Sequence, residues 1–270
     1  MASASAPAPA PAPARKHALV TGSTSGIGRG IATALAAAGY DITLNGFGNP
    51  DDIAALHREL ETFYGVKARY SNADMSKPGE IREMIEQAIA DGGLDVLVNN
   101  AGVQHVSPVE AFPDDAWDRV IAINLSSAFH TTKHALPHFQ AKGWGRIVNI
   151  ASVHGHVGST GKAAYVAAKH GIVGLTKVLA LENANKGITA NAICPGWVLT
   201  PLVKQQIEAR VAENGTTFEQ ETEALLGEKQ PMLKFTTPEK IGATVVFLCS
   251  DAADTITGSS LTVDGGWTAQ

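Results

Sequence analysis

The sequence predicts a single α/β domain with a parallel sheet covered by helices on both faces. Short apolar segments alternate with helix-like segments along most of the 270 residues. A glycine-rich turn joins the first apolar segment to the first helix-like one, and neither an internal repeat nor a linker divides the chain. Apolar strands separated by helices are typical of a parallel sheet buried on both faces. The expected fold is therefore one doubly wound, Rossmann-type sheet.

The predicted elements follow one another in a regular order. The predicted strands are HALVTG (17–22), DITLN (41–45), VKARYSNAD (66–74), LDVLVNNAG (94–102), GRIVNIAS (145–152), ITANAICPG (188–196) and SSLTVDGG (259–266). The predicted helices between them occupy residues 26–40, 50–65, 77–92, 116–143, 162–187 and 240–251. The helix at 50–65 begins with Pro-Asp-Asp, which suits the positive end of a helix dipole.

Two segments stand apart from this alternation. Residues 1–14 alternate Ala and Pro, which form neither a helix nor a sheet ladder, so they are predicted to be a disordered tail outside the single domain 15–270. Residues 198–235 are polar and helical and have no strand partner. A helical insertion after a parallel strand lies where ligands bind, so we predict a substrate lid, with a solvated surface excursion as the alternative.

Composition limits the classes of function. The chain is 44% hydrophobic and 17% charged, which is typical of a globular protein with a large core. The net charge is −5 and basic residues are not clustered, so no nucleic-acid partner is expected. The sequence contains no uninterrupted apolar run of about 18 residues, so no membrane span is predicted. Cys194 and Cys249 are expected to be reduced thiols in a cytoplasmic protein, and neither Cys nor His shows the spacing of metal ligands.

The glycine-rich turn TGSTSGIG (21–28) is the first candidate site. It follows a strand and opens a helix, which is the context of a dinucleotide phosphate site. Gly22 allows the tight turn, while Gly26 and Gly28 let the backbone approach a pyrophosphate at the helix N-terminus. The alternative is a glycine turn without a ligand.

The end of the second strand indicates which dinucleotide binds. An acid here often binds the ribose 2′-hydroxyl, whereas Arg or Lys binds a 2′-phosphate. The segment LNGFGNP offers Asn45 and Phe47, with neither an acid nor a base. The missing positive charge favours NAD over NADP.

The chemistry is predicted at Ser152, Tyr165 and Lys169. Residues four apart on a helix share a face, so Tyr165 and Lys169 point the same way. A phenol is a poor base at neutral pH, and a nearby ammonium is expected to lower its pKa. Ser152 ends a strand, where its hydroxyl can donate to a carbonyl oxygen. Together they can move a proton at a carbonyl or alcohol.

The motifs TGSTSGIG, NNAG, a lone Asn at 124, Ser152, YVAAK and PGWVLT resemble the short-chain dehydrogenase/reductase family in order and spacing, over residues 15–270. The resemblance implies seven parallel strands, a nicotinamide cofactor and a homotetramer. It makes Tyr165 the acid/base, has Lys169 hold the ribose, and places Asn124 in a water relay. The implied cofactor contacts are Gly22, Thr24, Gly26, Ile27, Gly28, Phe47, Asp74, Met75, Asn100, Ala101, Gly102, Tyr165, Lys169, Pro195, Gly196, Val198 and Thr200.

Four polar residues lie near the expected substrate pocket: Gln104, His154, Lys162 and Gln206. A Lys, a His and two amides converging on one spot suit a small carboxylate, although each could be a solvated surface group. The stretches AGVQHVSPVE, SVHGHVGSTGKAAYVAAKHG and ICPGWVLTPLV resemble the D-3-hydroxybutyrate dehydrogenase branch of the family. That resemblance implies that these four grip the substrate carboxylate, beside Ser152 and Tyr165.

The same resemblance implies an apolar wall and a reaction. Trp197 and Trp267 would face the methyl end of (R)-3-hydroxybutyrate, which is oxidised with NAD to acetoacetate. A 3-oxoacyl-thioester reductase, or a dehydrogenase of sugars or other hydroxy acids, shares every motif except the carboxylate cluster. Thioester reductases commonly have a basic residue in the glycine turn, where this chain has Ser25. A nucleotide-sensing binding protein would have no need of the three catalytic groups.

Overall fold

The computed structural model describes residues 15–269 and forms one seven-stranded parallel sheet. The strand order is β3-β2-β1-β4-β5-β6-β7, so the chain reverses direction across the sheet between β1 and β4. The strands are β1 (His17–Val20), β2 (Asp41–Asn45), β3 (Ala68–Ser71), β4 (Val96–Asn99), β5 (Gly145–Ile150), β6 (Ile188–Pro195) and β7 (Ser260–Val263). The predicted doubly wound fold is confirmed, and the predicted tail at 1–14 lies outside the described residues.

Nine α-helices are described between these strands. They are α1 (Gly26–Ala37), α2 (Pro50–Tyr64), α3 (Pro78–Ala90), α4 (Asp114–Ile121), α5 (Ser127–Lys142), α6 (Ala163–Asn183), α7 (Pro201–Asn214), α8 (Phe218–Gly227) and α9 (Pro238–Cys249). Local chemistry sets their ends. The Asn49 side chain caps α2 by accepting from the Asp51 amide at 2.8 Å, and Gly65 ends the helix in the left-handed region.

Two hydrophobic clusters lie on opposite faces of the sheet. Ala18 and Val20 belong to one cluster and Leu19 to the other, because side chains alternate along a strand. On one face, α1 and α9 pack closely; glycines at the contact make this possible, since a Cβ on Gly30 would lie 2.5 Å from Pro238. The rigid layers leave the carboxyl ends of the strands free to form a cleft.

Helix α6 is long and apolar enough to cross a membrane, by length and composition alone. The helix is not an uninterrupted apolar run, because charged and polar residues such as Lys169 and Lys177 lie within it. It packs along β6 and buries Ile172, Leu179 and Asn183, among others. Packing on β6 therefore accounts for the apolar residues on one side of the helix, while Val178 and Leu181 are exposed.

The segment 198–235 contains α7 and α8, as the sequence predicted for its helices. The Thr217 side chain and Gln220 form a capping box at the start of α8. A short parallel bridge between Val198 and Thr236 joins the two ends of the segment. The segment thus leaves and rejoins the domain at one place, and its role as a lid stays a prediction.

Candidate active site

A cleft of about 920 Å³ opens at the carboxyl edge of the sheet, where the loops after β1 to β6 meet. Most of the residues predicted to contact the cofactor line it: Gly22, Thr24, Gly26, Ile27, Gly28, Phe47, Asp74, Met75, Asn100, Ala101, Gly102, Tyr165, Lys169, Pro195, Gly196 and Thr200. Val198 does not line it and is buried beside the bridge to Thr236. The structure therefore brings the predicted cofactor set together, with that one exception.

The glycine turn is shaped by backbone contacts. Gly22 has a φ of 62°, and a Cβ on Gly28 would lie 2.2 Å from the Gly22 carbonyl oxygen. The Asn100 side chain donates to the carbonyl oxygens of Thr21 and Gly22, at 2.9 and 3.0 Å. At the start of α1, Ser25 makes no side-chain cap, which leaves the first helical amides for another acceptor. This turn fits the pyrophosphate of a dinucleotide.

At the end of β2, Asn45 is a structural residue. Its buried side chain accepts from the Gly22 amide at 3.2 Å and donates to the carbonyl oxygens of Ser71 and Ala73. The Phe47 side chain is 65% exposed, and the Thr24 hydroxyl donates to the Phe47 carbonyl at 2.7 Å. This end of the cleft thus presents a phenyl ring and no positive charge to a ribose.

Asp74 stays ionised at the next loop. Its carboxylate accepts from the Ser76 amide at 2.9 Å and from the Ser76 hydroxyl at 2.7 Å, and these bonds lower its pKa. Arg119 lies near enough to contribute to the same lowering, and with Asp118 it lines the cleft. The sequence analysis missed both. The sequence predicts a helix at 116–143 but does not show which face of that helix points towards the cleft. That information is needed to place Asp118 and Arg119 there.

Ser152 and Tyr165 meet at the centre of the cleft. Ser152 follows β5 and is buried, and its hydroxyl oxygen accepts from the His154 amide at 3.2 Å. Tyr165 lies in the first turn of α6, near the Ser152 side chain. Burial raises the pKa of the Tyr165 phenol, and the nearby Ser152 hydroxyl partly opposes this. The pair can hold one oxygen atom between two hydroxyl groups.

Lys169 lies beneath this pair. It is 4% exposed and donates from Nζ to the Ile150 carbonyl oxygen at 2.8 Å, with Nζ 5.5 Å from the centre of the Tyr165 ring. Burial lowers the pKa of Lys169 to about 8. The expected lowering of the phenol pKa by this ammonium is not found in the protein by itself, because desolvation of the phenol dominates and acts in the opposite direction.

Asn124 holds the loop after β4. It lies in a π-helical turn, Ala122–Ser126, between α4 and α5, where the sequence predicted one uninterrupted helix. Its side chain accepts from the Val103 amide at 2.8 Å and donates to the Val103 carbonyl at 2.9 Å. Both ends of the amide are therefore engaged, and its predicted part in a water relay stays a prediction.

The predicted substrate wall is built around His154. His154 is 6% exposed, and its ring makes edge contacts with Tyr165 at 6.1 Å and Trp267 at 5.6 Å between centroids. Trp197 stacks at a tilt on Trp267, 6.1 Å away. Lys162, the residue before α6, is half-buried. Burial, then the charge of Lys162, lowers the pKa of His154, and burial lowers that of Lys162.

The two predicted amides differ in their positions. Gln104 is exposed and lines the cleft. Gln206 lies on α7, is exposed and does not line the cleft. Its neighbour Ile207 is the buried residue of that turn. Consecutive side chains on a helix point about 100° apart, so Gln206 and Ile207 face different sides of α7. His154 and Lys162 lie close enough for the charge of Lys162 to lower the His154 pKa. Of the four predicted residues, Gln104 lines the cleft, whereas His154, Lys162 and Gln206 do not.

Comparisons with known proteins define the class. The family model described as "Enoyl-(Acyl carrier protein) reductase" (adh_short_C2) matches residues 22–268. The L-sorbose reductase of Gluconobacter frateurii, solved with NADPH and L-sorbose, superposes with a TM-score of 0.90 at 29% identity, over 95% of this chain and 97% of that one. The chain belongs to the short-chain dehydrogenase/reductase family of nicotinamide-dependent oxidoreductases.

Two relatives narrow the class further. The D-beta-hydroxybutyrate dehydrogenase of Cupriavidus necator is 58% identical over 256 residues, 94% of this chain and 98% of that protein. The D-beta-hydroxybutyrate dehydrogenase of Rhizobium meliloti is 52% identical over 257 residues, 94% of this chain and 99% of that protein. The predicted resemblance to this branch of the family is confirmed.

Proposed function

We propose that this protein is an NAD-dependent dehydrogenase that reversibly oxidises (R)-3-hydroxybutyrate to acetoacetate. The observation that carries the proposal is the cluster of basic and tryptophan side chains beside Tyr165, in a chain similar throughout to two D-beta-hydroxybutyrate dehydrogenases. The cluster combines Lys162 and His154 with Trp197 and Trp267, which suits a small anion with a short apolar end.

The catalytic steps belong to three side chains. NAD supplies the hydride acceptor when it is bound. The Tyr165 oxygen accepts the proton of the substrate hydroxyl, and the Ser152 hydroxyl holds the same substrate oxygen as it becomes a carbonyl oxygen. Lys169, whose burial lowers its pKa to about 8, places an amine 5.5 Å from the centre of the Tyr165 ring. In the reverse direction Tyr165 returns its proton to the oxygen of acetoacetate.

Carboxylate binding is proposed for the basic side of the pocket. Lys162 can form a charge-assisted hydrogen bond with the carboxylate, and Gln104 and His154 can add hydrogen bonds from either side. The charge that most lowers the His154 pKa is that of Lys162. An anion placed there is therefore attracted by the Lys162 ammonium. We propose further that lid closure brings Gln206 to the same carboxylate.

The proposed preference for NAD rests on the end of β2. The exposed Phe47 and the buried Asn45 offer no positive charge to a 2′-phosphate. The two basic residues that line the cleft, Arg119 and Lys169, belong to α4 and α6. The Gluconobacter frateurii protein was solved with NADPH, so the family as a whole does not decide this point.

We also propose that the protein acts as a cytoplasmic homotetramer. Large apolar side chains are exposed on α5 and α6, at Phe129, Val178 and Leu181, and on α9, at Phe247. Burying them between copies of the chain would remove this apolar area from water. Cys194 and Cys249 are buried free thiols, which agrees with a reducing compartment.

A turnover assay tests the function. The purified protein is given NAD with (R)- and (S)-3-hydroxybutyrate, other hydroxy acids and a sugar alcohol, and NADH or NADPH with a 3-oxoacyl thioester. Preferred turnover of (R)-3-hydroxybutyrate is expected. Preference for the thioester or the sugar alcohol would identify one of the alternative enzymes, and NAD binding without any turnover would identify a nucleotide-sensing protein.

A further inference from the structure

We propose that Gln230 is a positioning residue that couples the segment 198–235 to the substrate wall. Gln230 lies three residues after α8 and is 2% exposed, although its side chain is a polar amide. No motif in the sequence singles it out. The inference rests on the proposed function only in naming the substrate whose binding Gln230 affects.

The Gln230 side chain joins two backbone segments. Its Oε1 accepts from the Trp197 amide at 3.2 Å, and its Nε2 donates to the Lys234 carbonyl oxygen. Both polar ends of the amide are therefore satisfied by main-chain groups. One of these groups belongs to a residue of the predicted substrate wall, and the other to the end of the helical segment.

Two glycines make room for this side chain. A Cβ on Gly196 would lie 2.8 Å from the Gln230 Oε1, and a Cβ on Gly265 would lie 2.6 Å from its Cγ. Gly196 lines the cleft, and Gly265 precedes Trp267 by two residues. Gln230 thus touches both turns that carry the tryptophans of the wall.

Gln230 also contacts the chain on both sides of Leu233, a residue with a strained backbone conformation. Leu233 has a φ of +49°, and among residues 15–269 it is the one non-glycine residue with positive φ. The Leu233 amide donates to the Gln230 carbonyl oxygen at 2.9 Å, while the Gln230 side chain bonds to Lys234 on the other side. A left-handed leucine persists only when its surroundings hold it there. Gln230 supplies contacts on both sides of that residue.

Beyond Leu233 the chain returns to the wall. The Thr236 amide donates to the Trp197 carbonyl at 3.0 Å, and the Leu199 amide donates to the Thr236 carbonyl at 3.0 Å. We call residues 197–199 and 230–236 the latch. The Trp197 indole Nε1 is enclosed without a partner in the described part of the chain, so the position of this ring is set by its backbone and packing. Gln230 holds that backbone.

The consequence is a selective effect on substrate binding. The Gln230 amide bonds to Trp197 and Lys234, and neither bond reaches the glycine turn or the groups Ser152, Tyr165 and Lys169. Loss of these hydrogen bonds releases Trp197 and lets Leu233 relax, which disorders the wall beside Tyr165. Binding of the hydroxy acid should therefore weaken more than NAD binding, which shares only Gly196 and Val198 with this region.

The test compares Gln230→Met with Asn191→Met. Asn191 is a matched control because it is also a buried amide that joins two backbone groups: it donates to the Ile256 carbonyl at 2.7 Å and accepts from the Ser259 amide at 3.1 Å. Both variants should lower Tm. Gln230→Met alone should raise the KM for (R)-3-hydroxybutyrate, by about tenfold or about 1.4 kcal/mol, with kcat and the Kd for NAD changed by less than about threefold.

Two further measurements separate the latch from the proposed function. Adding Leu233→Gly to Gln230→Met should restore part of the KM, because glycine adopts positive φ without strain. Hydrogen exchange needs no substrate. Gln230→Met should speed exchange at the amides of Trp197, Leu199 and Thr236, and Asn191→Met should not. If Gln230→Met does not fold, Gln230→Asn, whose amide is too short to reach both partners, takes its place.

The outcomes are distinct. Unchanged KM in Gln230→Met, or exchange in the latch no faster than in Asn191→Met, would overturn the inference and make Gln230 a purely structural residue. An unmodified protein that does not turn over (R)-3-hydroxybutyrate would overturn the proposed function instead, and the exchange measurement would then decide the latch alone.

Discussion

The glycine turn lines the cleft and the latch lies beside it, and different contacts hold the two regions. In the glycine turn backbone meets backbone, and a Cβ on Gly28 would come within 2.2 Å of a carbonyl oxygen. In the latch, one buried amide side chain, Gln230, bridges two segments. Close backbone contact requires glycine at fixed positions, so the turn has a recognisable sequence motif. A position whose side chain bridges two segments could be filled by several residue types, so it has no such motif. Cofactor-binding residues are therefore easier to predict from the sequence than the residues that shape the substrate site.

The comparison predicts how variants should behave. Changes at the glycine turn should weaken cofactor binding whatever the substrate. Changes on the substrate side should weaken hydroxy-acid binding and spare NAD. Changes at the catalytic groups Ser152 and Tyr165 should lower turnover more than they weaken either binding step.

The largest effect on turnover is expected at the catalytic groups. Tyr165→Phe removes the proton-transfer group but keeps the ring that packs against His154. Turnover should fall by about 10²–10⁴-fold, the usual contribution of general acid–base catalysis. The Kd for NAD, measured by fluorescence titration, should change by less than about threefold. Turnover near that of the unmodified protein would rule out Tyr165 as the acid/base.

Lys169 gives the next effect, on stability against pH. Its folded pKa of about 8 lies below the ordinary 10.5, so the unfolded chain binds more protons between those values and stability rises with pH across that window. At 1.36 kcal/mol per pH unit, the rise is about 3 kcal/mol. Lys169→Met should lose this rise, as measured by urea unfolding of the cofactor-free protein from pH 7 to 10.5.

The contrast between the two profiles is the control for Lys169. Below pH 8 the folded protein bears the cost of a buried ammonium, so Lys169→Met should be the more stable form at pH 7. Parallel profiles for the two proteins would mean that the ammonium keeps an ordinary pKa in the fold. This prediction concerns the catalytic junction, and changes at the glycine turn or the latch should leave the slope unchanged.

These regions also differ in what could be predicted. The order of strands and helices, the glycine turn and the Ser152, Tyr165 and Lys169 arrangement were all predicted, because each depends on local spacing. The positions of Arg119 and Gln206 were not, because the rotational phase of a helix depends on its packing. The π-helical turn at Asn124 was missed for a similar reason: it depends on a bond to the Val103 loop, 21 residues away.

On the substrate side, Lys162→Ala should cost about 1.5–3 kcal/mol, the value of a hydrogen bond to a charged group. That is roughly ten- to a hundredfold in kcat/KM for (R)-3-hydroxybutyrate. A neutral secondary alcohol should lose little, because it has no carboxylate. Lys177→Ala, at an exposed position on the same helix, is the matched control. Equal losses on charged and neutral substrates would show that Lys162 supports α6 or Tyr165.

At the cofactor end, Gly28→Ala should raise the Kd for NAD by about ten- to a hundredfold, because overpacking typically costs about 1–3 kcal/mol. Gly79→Ala is the control: it lies in α3, and a Cβ there would meet nothing within 4 Å. That variant should bind NAD normally and gain about 0.5–1 kcal/mol of stability. Normal NAD binding in Gly28→Ala would show that the turn adjusts, and the comparison with the latch would fail.

The smallest effect concerns the choice between the two dinucleotides. We expect kcat/KM to be at least about tenfold higher with NAD than with NADP, or about 1.4 kcal/mol. From Leu44 to Asp51 the chain has no Arg or Lys, and Asp51 and Asp52 at the start of α2 add negative charge. A 2′-phosphate there would lose its water without gaining a partner.

A positive charge placed at the end of β2 should reduce the ratio of kcat/KM with NAD to kcat/KM with NADP. Phe47→Arg puts a guanidinium at the exposed position that lines the cleft, whereas Phe63→Arg adds the same charge to α2, at an 80% exposed position outside the cleft. The first variant should favour NADP relative to the unmodified protein, and the second should leave the ratio unchanged, which separates a local contact from net charge. If the unmodified protein prefers NADP, a basic residue from another element must reach the phosphate. Arg119, which lines the same cleft, would then be the residue to replace first.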